Sequence, residues 1–124
     1  MANRESVHRS PCPVACTLDL LGDKWTLLVV RDLFEGKKRY GEFQASREAI
    51  PTNILADRLK RLVMAGIVEK CRYSQRPPRY EYLLTEKGMD LRDLVLVMFR
   101  WGMKHVPGTR QNLPPEAKLP PRLG

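Results

Sequence analysis

Apolar residues recur at helical spacing near the start of the chain. Val14, Leu18 and Leu21 fall on one face of a predicted first helix, which Gly22 ends. A second, largely apolar helix follows, with Asp23 in the position of a good N-cap. A chain of 124 residues can bury about two-thirds of its unfolded surface, so we expect these helices to belong to one domain with a core.

The most clearly amphipathic helix is predicted over 52–65. Leu55, Leu59 and Leu62 stand at i, i+4 and i+7, which places them on one stripe that faces a core. A shorter helix is predicted before it, over 40–48, and a tight break joins the two. This arrangement is typical of a helix-turn-helix, whose second helix enters the major groove of DNA.

The second half of the chain combines strands with one long helix. Residues 67–73 and 80–84 are rich in β-forming side chains, and the turn-rich segment 74–79 between them predicts a hairpin. Thr85 is then expected to cap a helix over 86–105. That helix is apolar nearly all round, so part of its surface needs a cover, for which a partner subunit is the natural candidate.

The order of these elements predicts an α+β fold, a winged helix-turn-helix with further helices at its N- and C-terminal ends, which the resemblance described below implies are dimerisation helices. The hairpin would form a wing along the DNA backbone, while the second helix of the pair reads the major groove. We expect the domain to cover 12–106. Residues 107–124 hold half of the ten prolines and are expected to form a flexible Pro-rich tail without an assigned function.

Positive charge is concentrated on the predicted helix-turn-helix and wing. The formal net charge of the chain is +8, and residues 37–79 contain 11 Lys and Arg against 4 Asp and Glu. A basic excess on one module suits a polyphosphate partner, and we expect that partner to be double-stranded DNA. The alternative is a solvated basic surface without such a target.

Nine residues are candidates for contact with DNA. They are Lys37, Lys38, Arg39, Thr52, Asn53, Ala56, Lys60, Arg76 and Arg79. The four on the helix predicted over 52–65 are expected to face bases, since an Asn amide can pair with adenine and an Ala methyl can contact thymine. The wing arginines should reach phosphates or the minor groove, and the three cations at 37–39 the backbone. For Asp57 we favour an ion pair with Arg61, one turn on, over acceptance from cytosine.

Several motifs resemble those of the HxlR family of bacterial winged helix-turn-helix regulators. They are CPV at 12–14, LLGDKWTLL at 20–28, RYGEF at 39–43, ILADRLKRL at 54–62, GIVEK at 66–70, PPRYEY at 77–82 and LTEKG at 84–88. Together they span about 12–105. The resemblance implies a transcriptional regulator that dimerises through its terminal helices and binds a palindromic operator.

Cys12 is a candidate redox sensor. It directly precedes Pro13 at the start of the first predicted helix, and a helix N-terminus with positive charge nearby makes a thiol more reactive. Sensing members of the family use the cysteine at this motif position, so the resemblance allows an oxidant, an electrophile or another small molecule as effector. The alternative is a structural cysteine. Cys16, one turn away, is a candidate resolving thiol, although a disulfide within one helix would strain the geometry of that bond. Cys71 is expected in the core.

The sequence argues against several other functions. It has two histidines, His8 and His105, without a paired nucleophile and base, so we expect no enzymatic activity. His8, Cys12 and Cys16 offer three ligands where a structural zinc wants four, so neither metal nor cofactor is expected. The polar start, the short apolar runs and the odd number of cysteines favour a cytoplasmic protein that does not contact a membrane.

We therefore predict a sequence-specific, DNA-binding transcriptional regulator. Two alternatives share the same fold. One is a sensor whose DNA binding responds to oxidants, electrophiles or small molecules. The other is a winged-helix module that binds proteins, which the basic charge balance disfavours.

Overall fold

The computed structural model describes residues 9–109 and has the predicted order of elements. These are α1 (Pro13–Leu21), α2 (Thr26–Phe34), α3 (Tyr40–Gln44), α4 (Thr52–Met64), β1 (Val68–Gln75), β2 (Pro78–Leu84), α5 (Glu86–Met89) and α6 (Arg92–His105). The strands form one antiparallel hairpin, which confirms the α+β winged helix-turn-helix. Most of the predicted tail, 110–124, lies outside the described residues, and its flexibility stays a prediction.

The core lies between α2, α4 and the base of the hairpin. The predicted stripe of Leu55, Leu59 and Leu62 is at most 2% exposed, so α4 is anchored along one side. Phe43 of α3 is fully buried and meets Tyr82 of β2 edge-on, with ring centroids 6.2 Å apart. These contacts hold the helix-turn-helix against the wing.

The helix α3 is shorter than predicted, because it ends at Gln44 and not near residue 48. Ser46 leaves the helix and is buried, where its hydroxyl donates a hydrogen bond to the carboxylate of Asp32. Ala49 then adopts a left-handed conformation with a φ of 53°, and Ile50 after it lies in the core. The predicted break is therefore present, but it begins earlier in the chain.

The wing is longer than predicted. Strand pairing continues to Gln75 and Pro78, so only Arg76 and Pro77 remain between the strands. The residues predicted as a loop therefore extend both strands, and a bulge at Tyr73 shifts their register. A β-bulge re-aims the side chains around it, which bears on the site described below.

A backbone hydrogen bond connects the wing to the segment before α3, and one residue of the wing differs from its predicted place. The backbone N–H of Tyr82 donates to the carbonyl of Lys38 at 2.7 Å, which ties β2 to the segment before α3. Cys71 lies opposite Glu81 and is half-buried, so the expectation that it belongs to the core is wrong. The face of β1 that carries Cys71 is only partly covered by the rest of the domain.

The predicted terminal helix is divided into α5 and α6. Thr85 caps α5 as predicted, accepting the backbone N–H of Gly88 at 3.1 Å. Gly88 is pressed against the hairpin so closely that a Cβ there would lie 2.2 Å from the carbonyl oxygen of Ile67. The helix α6 instead packs against α2. We attribute the division to these two different packing partners.

Candidate nucleic-acid interface

The four candidate base-facing residues lie on the exposed side of α4. Thr52, Asn53, Ala56 and Lys60 are all exposed, while the leucine stripe on the opposite side is buried. A helix held by one face and bare on the other can enter the major groove without changing its packing. Their contact with bases stays a prediction.

The first turn of α4 is fixed by side chains of α3. The Tyr40 hydroxyl donates to the carbonyl oxygen of Thr52 at 2.9 Å. The Gln44 amide donates to the Thr52 hydroxyl oxygen at 3.4 Å, which leaves the hydroxyl hydrogen free to donate outward. The two helices of the helix-turn-helix therefore present this turn as one unit.

A salt bridge connects α4 to the start of α2. Arg58 donates to Asp23 at 2.8 Å, and Asp23 also accepts the backbone N–H groups of Trp25 at 3.0 Å and Thr26 at 3.2 Å. Burial acts to raise the pKa of Asp23, but the hydrogen bonds from Thr26, Arg58 and Trp25 outweigh it and hold that pKa well below its usual range. The Arg58 side chain is only 16% exposed, so it positions the helix and is not free for DNA.

The favoured partner of Asp57 is confirmed. Arg61 lies 2.9 Å from the Asp57 carboxylate, one turn further along α4. Arg58 binds the same oxygen. Because two guanidinium groups neutralise Asp57, it does not stand as a free negative charge on the face that would meet DNA.

A partly buried polar network, centred on Asp32, fixes α2 to the segment after α3. Arg31 donates to the two carboxylate oxygens of Glu48 and to Asp32, each at 2.8 Å. The hydrogen bond from Arg31 lowers the pKa of Glu48. Asp32 is fully buried, and it accepts the Ser46 hydroxyl and lies 3.3 Å from the Lys37 ammonium. Sequence reasoning missed this network, because its partners are up to 17 residues apart and follow no local spacing.

The three cations before α3 have different surroundings. The Lys37 ammonium binds Asp32 and Ser46 within the protein. To contact DNA it would have to leave these partners, and that contact stays a prediction. Lys38 is exposed and makes no ion pair within 9–109. The Arg39 guanidinium reaches the wing, where it pairs with Glu81 at 3.2 Å.

The tip of the wing carries unpaired positive charge. Arg76 and Arg79 are exposed and have no ion-pair partner among the described residues. Behind them, Arg72 donates to the hydroxyl of Tyr80 at 3.1 Å, and this bond lowers the pKa of that tyrosine. Lys70 lies over the same ring, 4.4 Å from its centroid. The tyrosines were not among the predicted site residues, although their place on predicted strands beside basic residues was a usable signal.

The terminal helices carry the predicted excess of apolar surface. Val14 and Leu18 of α1 are 67% and 53% exposed, and Val97 and Trp101 of α6 are 57% and 60% exposed. A groove of about 710 Å³ runs between α1, α2 and α6. Side chains of this kind are normally covered by a partner.

The thiol of Cys12 is exposed at the start of α1. Its backbone N–H donates to the Ser10 hydroxyl at 3.1 Å, and the half-buried Cys16 thiol donates to the Ser10 carbonyl at 3.2 Å. His8 lies outside the described residues. Within 9–109, no group of three or more His, Cys, Asp or Glu is arranged to hold a metal ion, and no helix there is long and apolar enough to cross a bilayer.

The chain is similar in sequence to other helix-turn-helix proteins. Over 94 residues the chain is 40% identical to the HTH-type transcriptional regulator Mb3122 of Mycobacterium bovis, covering 76% of this chain and 59% of that relative. It is 39% identical over 94 residues to the HTH-type transcriptional regulator YdeP of Bacillus subtilis, covering 76% of this chain and 73% of that relative. The chain thus spans about three-fifths of the mycobacterial relative's length.

Two solved structures have the same fold. The redox regulator HypR in its reduced form superposes with a TM-score of 0.72 at 38% identity, covering 77% of this chain and 95% of HypR. The reduced form of the transcriptional regulator YodB of B. subtilis has a TM-score of 0.65 at 31% identity, covering 82% of this chain and all of YodB. The sequence profile described as HxlR-like helix-turn-helix matches residues 20–110. The chain therefore belongs to the HxlR-like helix-turn-helix family of transcriptional regulators.

Proposed function

We propose that the protein is a sequence-specific, DNA-binding regulator that acts as a homodimer on a palindromic operator. The observation that carries this proposal is the bare face of α4, where Thr52, Asn53 and Ala56 are exposed and the opposite leucine stripe is buried. The unpaired arginines of the wing supply sequence-independent attraction to phosphates. Family membership supports DNA as the partner.

Asn53 of α4 and Arg79 of the wing have different proposed roles. Asn53 reads a base, so Asn53→Ala should weaken binding to the preferred site by about 1–3 kcal/mol and leave binding to random duplex nearly unchanged. Arg79 of the wing contacts a phosphate, so Arg79→Ala should weaken binding to both duplexes by similar factors. Fluorescence anisotropy with a duplex selected from genomic fragments, and with a scrambled duplex, measures the difference. Equal losses on both duplexes for Asn53→Ala would remove it from base reading.

The homodimer is supported by the exposed apolar surface of α1 and α6. Trp101 and Val97 are each more than half exposed, and the groove beside them continues along α1. Association of two copies through this surface would remove it from water and hold two α4 helices at a fixed spacing. A spacing of about one helical turn of DNA, roughly 34 Å, fits two half-sites of a palindrome.

Sedimentation tests the dimer with a matched pair of variants. Met98 lies on α6 and is 51% exposed, whereas Met64 at the end of α4 is 75% exposed and lies outside the terminal helices. Met98→Glu should yield a folded monomer at low micromolar concentration, and Met64→Glu should remain dimeric. A well-folded wild-type monomer at that concentration would remove the basis for binding two half-sites.

A second candidate function is control of DNA binding by an oxidant, an electrophile or another small molecule through Cys12. The observation that favours it is the exposed thiol of Cys12, next to the apolar groove that begins at Pro13. Modification there would alter the surface that two copies are proposed to share. HypR, which has the same fold, is named as a redox regulator.

The test compares Cys12 with the half-buried Cys71 in the same protein. Cys12 should alkylate faster, as measured by mass spectrometry, and its modification should change operator affinity in wild type but not in Cys12→Ser. Equal alkylation rates, or an unchanged affinity after modification, would leave Cys12 with a structural role.

A further inference from the structure

A cleft of about 620 Å³ lies between α3 and the wing. One wall is formed by Arg39 and Tyr40 at the start of α3, and the other by Tyr73, Tyr80 and Arg79 of the hairpin. Two arginines and four tyrosine rings line this open cleft, and the guanidinium groups supply its charged hydrogen-bond donors. Glu42 also lines the cleft, but its carboxylate accepts the backbone N–H groups of Lys38 and Arg39. Such a surface suits an anion that carries several acceptor oxygens.

Arg39 forms a weak ion pair with Glu81 of the same chain. Its Nε and Nη2 atoms both donate to a single oxygen of Glu81, each at 3.2 Å, while its guanidinium lies 4.2 Å from the ring centroid of Tyr73. Two long bonds to one oxygen differ from the short, paired bonds of a bidentate arginine–carboxylate contact. The Arg39 side chain is also 52% exposed, so water and other anions reach it.

The cleft adjoins the proposed DNA-reading surface. Tyr40 lines it and donates to the carbonyl oxygen of Thr52, the first residue of α4. Arg79 on the opposite wall has no ion-pair partner within 9–109. A DNA strand that runs from the first turn of α4 to the wing tip would therefore pass over this cleft.

We propose that the cleft between α3 and the wing seats a phosphate of the DNA backbone, and that Glu81 occupies the place of this phosphate on Arg39 in the free protein. This inference rests on the proposed function and names a backbone subsite within it. On binding, a phosphate oxygen takes over the donors of Arg39, and Tyr73 keeps the guanidinium plane in position. Glu81 thereby lowers the affinity of the cleft for every duplex, because each phosphate must displace its carboxylate from Arg39.

The first experiment removes the competing carboxylate. Glu81→Gln keeps the shape of the side chain and should tighten binding to both operator and random duplex about two- to fivefold at low salt, the range that partly exposed ion pairs support. Asp90→Asn is the control, because it removes the same charge from an exposed residue outside the cleft. Equal affinities for the two variants would overturn the proposal.

The second experiment tests whether Glu81 acts through Arg39. Arg39→Gln should weaken binding more than Arg100→Gln, which removes the same charge from an exposed residue of α6. In the Arg39→Gln background, Glu81→Gln should give no gain, and a gain that persists there contradicts the inference. Thermal unfolding of each variant checks that the hairpin is intact, and the comparison of Arg39→Gln with Arg100→Gln remains decisive if Glu81→Gln fails to fold.

These outcomes are separable from those of the proposed function. If wild-type protein binds no duplex, the proposed function fails. If wild type binds with a steep salt dependence but Glu81→Gln equals Asp90→Asn, only the phosphate subsite fails.

Discussion

Replacement of Asp23 with alanine should destabilise the fold by about 0.5–3 kcal/mol. Asp23 accepts the backbone N–H groups of Trp25 and Thr26 at the start of α2, and loss of such a cap costs about 0.5–2 kcal/mol. It also pairs with Arg58 at 2.8 Å, where the two side chains are 29% and 16% exposed. A pair this close to the surface contributes up to about 1 kcal/mol, which gives the upper end of the range.

Asp23→Asn separates the two contributions. An asparagine is as good an N-cap as an aspartate, so this variant should lose only the ion pair with Arg58, about 1 kcal/mol or less. Urea unfolding followed by circular dichroism at pH 7 measures both variants. Because Arg58 is on α4, Asp23→Asn should also weaken operator binding more than its small effect on stability accounts for.

Two outcomes would contradict the roles given to Asp23. If Asp23→Ala unfolds at the same urea concentration as wild type, the contacts at the start of α2 do not stabilise the fold. If Asp23→Asn and Asp23→Ala are equally destabilised, the ion pair and not the cap is the main contribution.

Two further predictions concern stability. Gly88→Ala should destabilise the fold by about 2 kcal/mol, because its Cβ would lie 2.2 Å from the Ile67 carbonyl oxygen. Gly102→Ala is the control: a Cβ there meets nothing within 4 Å, so the change should be neutral or stabilise the fold by up to about 1 kcal/mol. Equal melting temperatures for the two variants would contradict the close packing of Gly88. Glu48 has a folded pKa below its usual 4.5, so its pairing with Arg31 stabilises the fold above that pH and is lost as the pH falls through the folded pKa. The stability of Arg31→Gln should therefore fall less than that of wild type in urea melts between pH 6 and pH 3, and parallel curves would contradict this.

Local sequence patterns were sufficient to predict most of the fold. The leucine stripe at 55, 59 and 62 has a helical period, and it is buried as that period requires. The Asp57–Arg61 pair was also predictable, because residues four apart on a helix face each other. Both features depend on neighbours within two turns.

The departures from prediction depend on contacts between distant residues. The division of the last helix follows from the packing of Gly88 against Ile67, 21 positions earlier, which no periodicity within the helix reveals. The early end of α3 follows from the bond between Ser46 and Asp32. The pairing of Lys37 with buried Asp32 belongs to the same network and was not predicted, while the contact of Lys37 with DNA stays a prediction.

The salt dependence of duplex binding tests the central claim most directly. A dimer would present ten copies of the exposed cations Lys38, Arg39, Lys60, Arg76 and Arg79, and contact by about half of them gives a slope of about −4 to −5 in a plot of log affinity against log salt concentration. Anisotropy titrations of wild-type protein on the selected duplex, over about 50 to 300 mM salt, measure that slope. The account predicts this steep decline together with a tighter affinity for the selected duplex than for the scrambled one. A flat plot, or equal affinities for the two duplexes, would contradict it.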